Sequence, residues 1–381
     1  MTVPFTPALA RSDSVRALID GHMLGANETG NETYVRGLLA GLEAIGRPQA
    51  VALAPGGACP GGHTTVLLSG SSNLRRLLAE LPTLARQVGA QVIHSTYAAP
   101  PATDRARVVT VHDLSFVHHP EWFGVRDRAV LNAGVRWAAR RAERLIVPSS
   151  DTRDDLLGLP GVVRERVSVI AEGVESRFRP LNPGDVAAAL DRLGLARPYV
   201  LAVGNAQPRK NLVRLLEAWA TLVGERAVGD HVLVLAGGVR GRRTDIARKV
   251  ASLHLEGRVR MTGYVAEADL VGLYCGATVF VCPSLHEGFG LPVLEAMAAG
   301  TPVACSRATA LPETAGNAAT FFDPSDADDI AATLVALLDH PQMLEKFRQR
   351  GLARAPSFTW QDCARQTCEV YEQAATERGL R

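Results

Sequence analysis

Two carboxylates eight positions apart, Glu287 and Glu295, stand in the run Pro-Ser-Leu-His-Glu-Gly-Phe-Gly-Leu-Pro-Val-Leu-Glu that opens at Pro283. Gly288 and Gly290 let the backbone come close to a ligand. Pro292 suits the first turn of a helix, where its missing N–H has no helical partner. The spacing therefore predicts a helix starting near Pro292. Its open N-terminus turns unpaired N–H groups and the positive end of the macrodipole toward the Gly288-Phe289-Gly290-Leu291 turn, which attracts a phosphate. Carboxylates beside such an end accept hydrogen bonds from hydroxyls, so the combination suits a ligand carrying sugar or ribose hydroxyls as well as phosphates.

A second polar group follows an apolar run. Tyr199-Val-Leu-Ala-Val-Gly204-Asn205 reads as a buried strand ending in a tight turn, after which come Gln207-Pro208-Arg209-Lys210-Asn211 and the helix-periodic Leu212, Leu215, Leu216 and Trp219. Arg209 can grip a phosphate bidentately, and Lys210 is a point charge. Fixed cations there favour a departing diphosphate, whose negative charge grows as the bond to it breaks. Two merely solvated charges are the plainer reading, although cations are mildly unfavourable at a helix start. In the first half, Arg107-Val-Val-Thr-Val-His112-Asp113 places His112 and Asp113 just beyond a strand, where α/β folds present ligand-facing residues. Asp113 is expected to orient the imidazole through a hydrogen bond; a histidine satisfied in the core is the alternative. His118 and His119 have no matching role, and no metal-ligand spacing appears.

Three weaker segments keep two readings each. Gly25 to Tyr34 precedes a helix with Val35, Leu38, Leu39 and Leu42 on its apolar face, and Thr29 with Glu32 suits a capping box. Gly30 there either carries a second helix N-terminus to the opposite wall of a cleft or belongs to a purely structural turn. Gly263-Tyr264, with Leu270 and Tyr274 behind it, is a strand end and helix, or a segment beside a nucleotide base. Arg126 to Arg144 holds six arginines interleaved with Val130, Leu131, Val135 and Trp137. That pattern fits a solvated helix face over a core stripe, and it also fits contact with an anionic membrane surface.

The elements that must position these residues are short Val- and Ile-rich runs alternating with helical patterns: Val92-Ile93, Val108 to Val111, Leu145 to Val147, Tyr199 to Val203, Val232 to Leu235 and Thr278 to Val281. Alternation of this kind means parallel sheets with crossover helices. A length of 381 residues exceeds what one core usually fills, and Pro180 and Pro183 interrupt the pattern between Glu175 and Asp185. The expected architecture is α/β, with two doubly wound Rossmann-like domains, 1–180 and 181–360, opening onto one interdomain cleft. A net charge of +2 without a basic block argues against nucleic acid as partner. The lack of a charged leader, of an eighteen-residue apolar run and of C-x-x-C pairs among the six cysteines predicts a cytoplasmic protein with reduced thiols.

The Glu287-to-Glu295 segment closely resembles the E-x7-E signature of the family 4 glycosyltransferases, retaining enzymes of the GT-B fold; His286, Gly288, Phe289, Gly290 and Pro292 match as well. The likeness covers nearly the whole chain. It implies transfer of a hexose from a nucleotide diphosphate sugar to a hydroxyl of a glycan or lipid-linked acceptor, with no cofactor and no bound metal. By residue, it implies His112, Glu287, Arg209 and Lys210 as the catalytic set. Donor contacts fall at Gly30, Gly204, Asn205, Gly263, Tyr264, Gly288, Phe289, Gly290, Leu291 and Glu295, the last on the ribose. It also implies that a final helix at about 360–381, lined by Trp360, Cys363, Cys368, Val370 and Tyr371, packs back on the first domain. The chain departs from the family around Gly30, where Asn-Glu-Thr occurs twice and no arginine stands beside the glycine. Val-Thr-Val-His-Asp-Leu-Ser-Phe and Gln-Pro-Arg-Lys-Asn look most like bacterial mannosyltransferases of polysaccharide assembly, which favours GDP-mannose over a UDP-sugar. The implied location is the cytoplasm, with the inner face of the plasma membrane as a peripheral site. A sugar-nucleotide epimerase of the same fold and a non-catalytic sugar-nucleotide-binding subunit are the standing alternatives. A phosphorylase lacks an evident lysine for pyridoxal phosphate, and a dehydrogenase lacks its G-x-G-x-x-G.

Overall fold

The computed structural model describes residues 14–25, 30–70, 72–238 and 243–380. Its strands form two sheets, each parallel throughout. The first contains β1 (Ala17–Gly21), β2 (Ala50–Leu53), β3 (Thr64–Leu67), β4 (Val92–Thr96), β5 (Ala106–Thr110), β6 (Arg144–Val147) and β7 (Val167–Val169), in the order β3-β2-β1-β4-β5-β6-β7. The second contains β8 (Tyr199–Val203), β9 (Val232–Ala236), β10 (Val259–Gly263), β11 (Val279–Cys282), β12 (Val303–Ser306) and β13 (Ala319–Phe322), in the order β10-β9-β8-β11-β12-β13. Central strands are apolar on both faces because helices cover both; in β8 four of five residues are buried. The strand order reverses between β1 and β4 and again between β8 and β11. Parallel sheets open a crevice beyond the carboxyl ends of strands at such points. The loops that follow β8 and β11 are those carrying Arg209, Lys210 and Glu287.

Seven helices matter for the site and its support: α1 (Gly30–Ala44), α2 (Val125–Arg141), α3 (Ser150–Leu157), α4 (Leu212–Gly224), α5 (Leu291–Ala298), α6 (Leu311–Ala315) and α7 (Trp360–Glu377). The last of these leaves the second domain and lies on the first. Thr359 caps it, accepting a hydrogen bond from the Asp362 N–H at 3.0 Å. Trp360 seats its indole on Gly37 of α1, where a Cβ would stand 2.1 Å from the ring, so only glycine permits the two helices to meet there. Cys363, Cys368, Val370 and Tyr371 join Tyr34 and Leu38 in one buried cluster. Within it the Tyr371 hydroxyl bonds His94 Nδ1 at 2.6 Å, and His94 Nε2 bonds Thr110 at 2.8 Å. Burial drives the His94 pKa down to about 3, so the ring is neutral and the network uncharged.

The arginine-rich segment forms α2, but its apolar stripe is narrower than the sequence implied. Only Val135, Ala138 and Ala139 are buried, Leu131 and Trp137 are half-covered, and Val130 is 62% exposed. Two small alanines make the close contact, leaving Val130 on the outward face. No helix among the described residues is long and apolar enough to cross a membrane.

Candidate functional site

The loops after β8 and β11 are tied to each other before any ligand is considered. Leu285 N–H donates to the Arg209 carbonyl at 2.7 Å. Asn211, in the left-handed region at φ 56°, sends its side-chain amide to the carbonyls of Pro283 at 3.0 Å and Pro324 at 2.7 Å. This brings both cations to one carboxylate. Lys210 Nζ lies 2.5 Å from Glu287 Oε1, and Arg209 Nη1 lies 2.8 Å from Oε2. Ser284 donates to Oε1 at 2.7 Å, while the Thr309 hydroxyl accepts from the Glu287 N–H and donates to its carbonyl, both at 2.9 Å. Burial alone would push the Glu287 carboxyl upward, but Lys210 and Arg209 outweigh it and hold the pKa down to about 2. The cluster keeps one surplus positive charge. Among the described residues, Arg209 Nη2 makes no hydrogen bond, and two of the three Lys210 donors stay available for an anion.

The expected helix begins at Leu291, with Pro292 in its first turn and Gly290, at φ 101°, as the preceding residue; no side chain caps it. Pro292 has no N–H and the Val293 N–H donates to the Gly290 carbonyl at 2.9 Å, so among the first three positions the Leu291 N–H is the one left for a ligand, at the positive end of the macrodipole. Phe289 turns inward, 5.8 Å from the Phe358 ring, and its carbonyl accepts from the Thr314 hydroxyl at 2.6 Å. Leu291 is half-buried. One turn further, Glu295 accepts from the Tyr274 hydroxyl at 2.8 Å and keeps a narrow open edge. Here burial, reinforced by the charge of Glu175, wins over the hydrogen bond and raises the carboxyl to about 7. The two glutamates have therefore been driven apart, one permanently ionised and one poised near neutrality.

Among the remaining positions, Gly204 N–H donates to the Ala236 carbonyl at 2.8 Å, and Asn205 Oδ1 is enclosed without a partner among the described residues. The Gly263 carbonyl accepts from Gly237 N–H at 2.8 Å, and Tyr264 is 69% exposed. Gly30 is the first residue of α1, with open space where a Cβ would stand. Thr29 lies outside the described residues, and the Glu32 carboxylate accepts from Gly25 N–H at 2.9 Å and from Arg36 at 2.8 Å. No group of three or more His, Cys, Asp or Glu side chains among the described residues could hold a metal ion.

From the other domain comes His112, just past β5. Asp113 does not orient it: the Asp113 carboxylate is engaged by the N–H of Ser115 at 2.9 Å and its hydroxyl at 2.6 Å, closing a local turn. The partner is Glu172, itself buried, at 3.1 Å from His112 Nδ1. Tyr34 sets its ring edge-on to the imidazole at 4.6 Å, and Nε2 is buried without a partner among the described residues. The Gly288 turn rests on the same loop, where a Cβ on Gly288 would stand 1.7 Å from the His112 carbonyl oxygen. Thr152 Oγ1 lies 3.4 Å from both the His112 and Gly288 carbonyls. Alongside, Ser150 N–H at the start of α3 donates to both oxygens of Glu313 on α6, at 2.8 and 3.1 Å, and His286 stacks on His118 at 6.2 Å. The acid–cation cluster and His112 thus meet across one interdomain contact.

Residues 192–354 match the family described as glycosyl transferases group 1, and residues 29–178 match glycosyltransferase family 4. The O-antigen chain mannosyltransferase B of Escherichia coli is 34% identical over 267 residues, covering 70% of this chain and 70% of that one. The chain belongs to the group 1 and family 4 glycosyltransferases. The MMP alpha-(1->4)-mannosyltransferase of Mycolicibacterium hassiacum is also 34% identical, over 285 residues, though the match spans only 65% of its length and 68% of this chain. Sucrose-phosphate synthase from Thermosynechococcus elongatus, 23% identical, superposes with a TM-score of 0.76 over 95% of this chain and 100% of its own, a likeness of fold. The glycosyltransferase is a GT-B enzyme that moves a sugar from a nucleotide-sugar donor to an acceptor.

Three residues of the glycosyltransferase site escaped the sequence reading: Ser284 and Thr309, which buttress Glu287, and Glu172, which holds His112. Tyr274, read there only as part of a segment beside a nucleotide base, holds Glu295. Glu172 had one local signal: it stands in Ala-Glu-Gly-Val-Glu three residues beyond β7, at the same sheet edge as His112. Glu172→Ala is expected to cost about 1–3 kcal/mol of stability by leaving the buried Nδ1 without its partner, and Glu172→Gln, which keeps an acceptor, clearly less. Chemical denaturation of the two variants measures the difference.

Proposed function

We propose that this glycosyltransferase is a retaining hexosyltransferase that moves mannose from GDP-mannose to a hydroxyl of a glycan or lipid-linked acceptor. The observation that carries the reading is the Glu287–Lys210–Arg209 cluster beside the uncapped start of α5. Its surplus positive charge and free donors suit a diphosphate that gains charge on leaving. Glu287 and the Gly288-to-Leu291 backbone position the hexose, Glu295 accepts ribose hydroxyls, Gly204 and Asn205 border the diphosphate, and Tyr264 lies beside the base. His112 turns its unpartnered Nε2 to the sugar. Glu287 is held by three side chains and is poorly placed as a nucleophile. A reaction on one face follows: the C1–phosphate bond breaks as the acceptor oxygen bonds to C1, and the acceptor proton passes to the departing phosphate oxygen. Both relatives are mannosyltransferases by name, which supports the choice of sugar. The exposed Val125 and Val130 beside Arg126 on α2 suit peripheral contact with an anionic membrane, where a lipid-linked acceptor would be met.

Incubation with anomerically defined GDP-mannose and NMR of the product tests this directly. Retained α configuration on an acceptor is expected; an altered free sugar nucleotide without glycosylated product supports epimerisation instead. A thermal-shift panel of nucleotide sugars should single out the preferred donor, and a chain that binds one but glycosylates nothing supports the binding-subunit reading.

If Glu295 receives the ribose hydroxyls, donor affinity depends on pH. The free carboxyl titrates at about 7, and hydroxyl donors favour its ionised form. Binding therefore lowers that pKa, and the donor Kd should rise as pH falls below 7, by up to about tenfold per unit. Calorimetric titration from pH 5.5 to 8 checks the slope, which Glu295→Gln should flatten.

A further inference from the structure

At the amino-terminal edge of the first sheet, opposite the strand ends that face the cleft, lies a cavity of about 640 Å³. It forms where β5 and β6 begin and where α2 and α7 end. Five arginines line it against two glutamates, and neither glutamate is left to balance the excess. Glu143 is held by Arg107 at 3.3 Å and Arg378 at 3.2 Å, and Glu377 by Arg144 at 2.5 Å. Arg140, Arg141 and Arg166 form no ion pair among the described residues.

Arg107 ties the wall behind them together. Arg107 donates to the carbonyls of Pro100 at 3.0 Å and Arg141 at 3.2 Å, and its guanidinium sits 5.5 Å from the centre of the Trp137 ring. Burial lowers its pKa; the Glu143 charge opposes that shift, but burial and the charges of Arg378 and Arg141 together outweigh the one carboxylate, so cations outnumber anions around it. Guanidinium groups match phosphate oxygens bidentately, and a concave site of this volume takes a compact ligand better than a strand crossing a flat face.

We propose that this cavity binds a ligand bearing clustered phosphate groups, at a second site separate from the catalytic cleft. Those phosphates come either from a soluble phosphorylated metabolite or from a phospholipid headgroup; the recognition chemistry is the same.

Inorganic pyrophosphate titrated calorimetrically into the full chain tests the site in three proteins: wild type, Lys210→Ala and the double variant Arg141→Ala/Arg166→Ala. Neither Arg141 nor Arg166 makes a side-chain hydrogen bond among the described residues, so folding should not confound the result. A binding component that survives Lys210→Ala and weakens at least about tenfold in the double variant is expected. Sedimentation with phosphatidylglycerol vesicles, against neutral phosphatidylcholine, distinguishes the source. Binding lost in the double variant assigns a headgroup, whereas pyrophosphate binding without vesicle binding assigns a soluble ligand. The proposal is overturned if neither probe binds outside the cleft, or if both bind the double variant as well as they bind wild type.

Discussion

Lys210→Ala is expected to lower kcat by about 10²- to 10³-fold, the usual effect of removing one fixed donor from a developing negative charge. Lys210 is buried, and its ammonium reaches the cleft through the turn that Asn211 pins to β11 and β13. Its loss takes the cluster from one surplus positive charge to none. Arg209 would then divide its donors between Glu287 and the diphosphate. Stability should fall as well, by about 1.5–3 kcal/mol, because the buried carboxylate loses a charged hydrogen bond. The double variant Lys210→Ala/Glu287→Gln separates the two effects. Neutralising Glu287 removes the carboxylate's demand for a second cation but also takes the ion-pair partner from Arg209, so it should recover only part of the stability and none of the turnover. Steady-state kinetics and urea denaturation on all three proteins check this, and an unchanged kcat in Lys210→Ala would remove the cation from the leaving-group side. The pH sense follows from Glu287, whose folded pKa of about 2 lies below its ordinary 4.5. Its stabilisation is complete above 4.5 and is lost as pH falls from there toward 2. In Lys210→Ala the folded value rises, so that acid-dependent loss should shrink.

The parts of this architecture visible in the sequence were those written locally. Alternating apolar runs marked β4, β5, β6, β8, β9 and β11, though not the other strands; Gly288, Gly290 and Pro292 marked the start of α5; and Gln207-Pro208-Arg209-Lys210 placed two cations after a strand. What stayed hidden was set by contacts between distant segments. His112 and Glu172 are 60 residues apart, Ser150 and Glu313 are 163 apart, and Trp360 reaches back to Gly37. Asp113 was the natural local candidate to orient the imidazole, yet an Asp two residues before a Ser closes its own turn more cheaply than it bridges to a neighbour. The exposure of Val130 was invisible for a similar reason: helical period shows which residues share a face, but not how deeply alanines let that face sink. The net charges of Arg209 and Lys210 were plain, whereas their pairing with Glu287 depends on two loops from different strands being tied together.

Gly288→Ala is expected to reduce kcat/KM by at least about 10²-fold while leaving both domains folded. A Cβ at this position would stand 1.7 Å from the His112 carbonyl oxygen and 2.8 Å from its carbonyl carbon. A methyl group has no rotamer by which to escape, and the atoms it meets are backbone. The Gly288 turn must shift or the domains must part. Either displaces Glu287, one residue away, relative to His112 by something near an ångström, enough to spoil a reacting geometry. The buried clusters beneath the two sheets are distinct, with Leu291 the shared residue packed against one of each, so most of their packing does not depend on this contact. Nucleotide binding to the second domain should therefore survive within a few fold, while small-angle scattering should show a larger radius of gyration. Glu313→Gln loosens the neighbouring Ser150 contact without adding volume and should be milder in every readout. Full kcat/KM in Gly288→Ala would mean that the approach of Gly288 to His112 is absent from the working state, and with it the role of this closure in joining the cation cluster to the histidine.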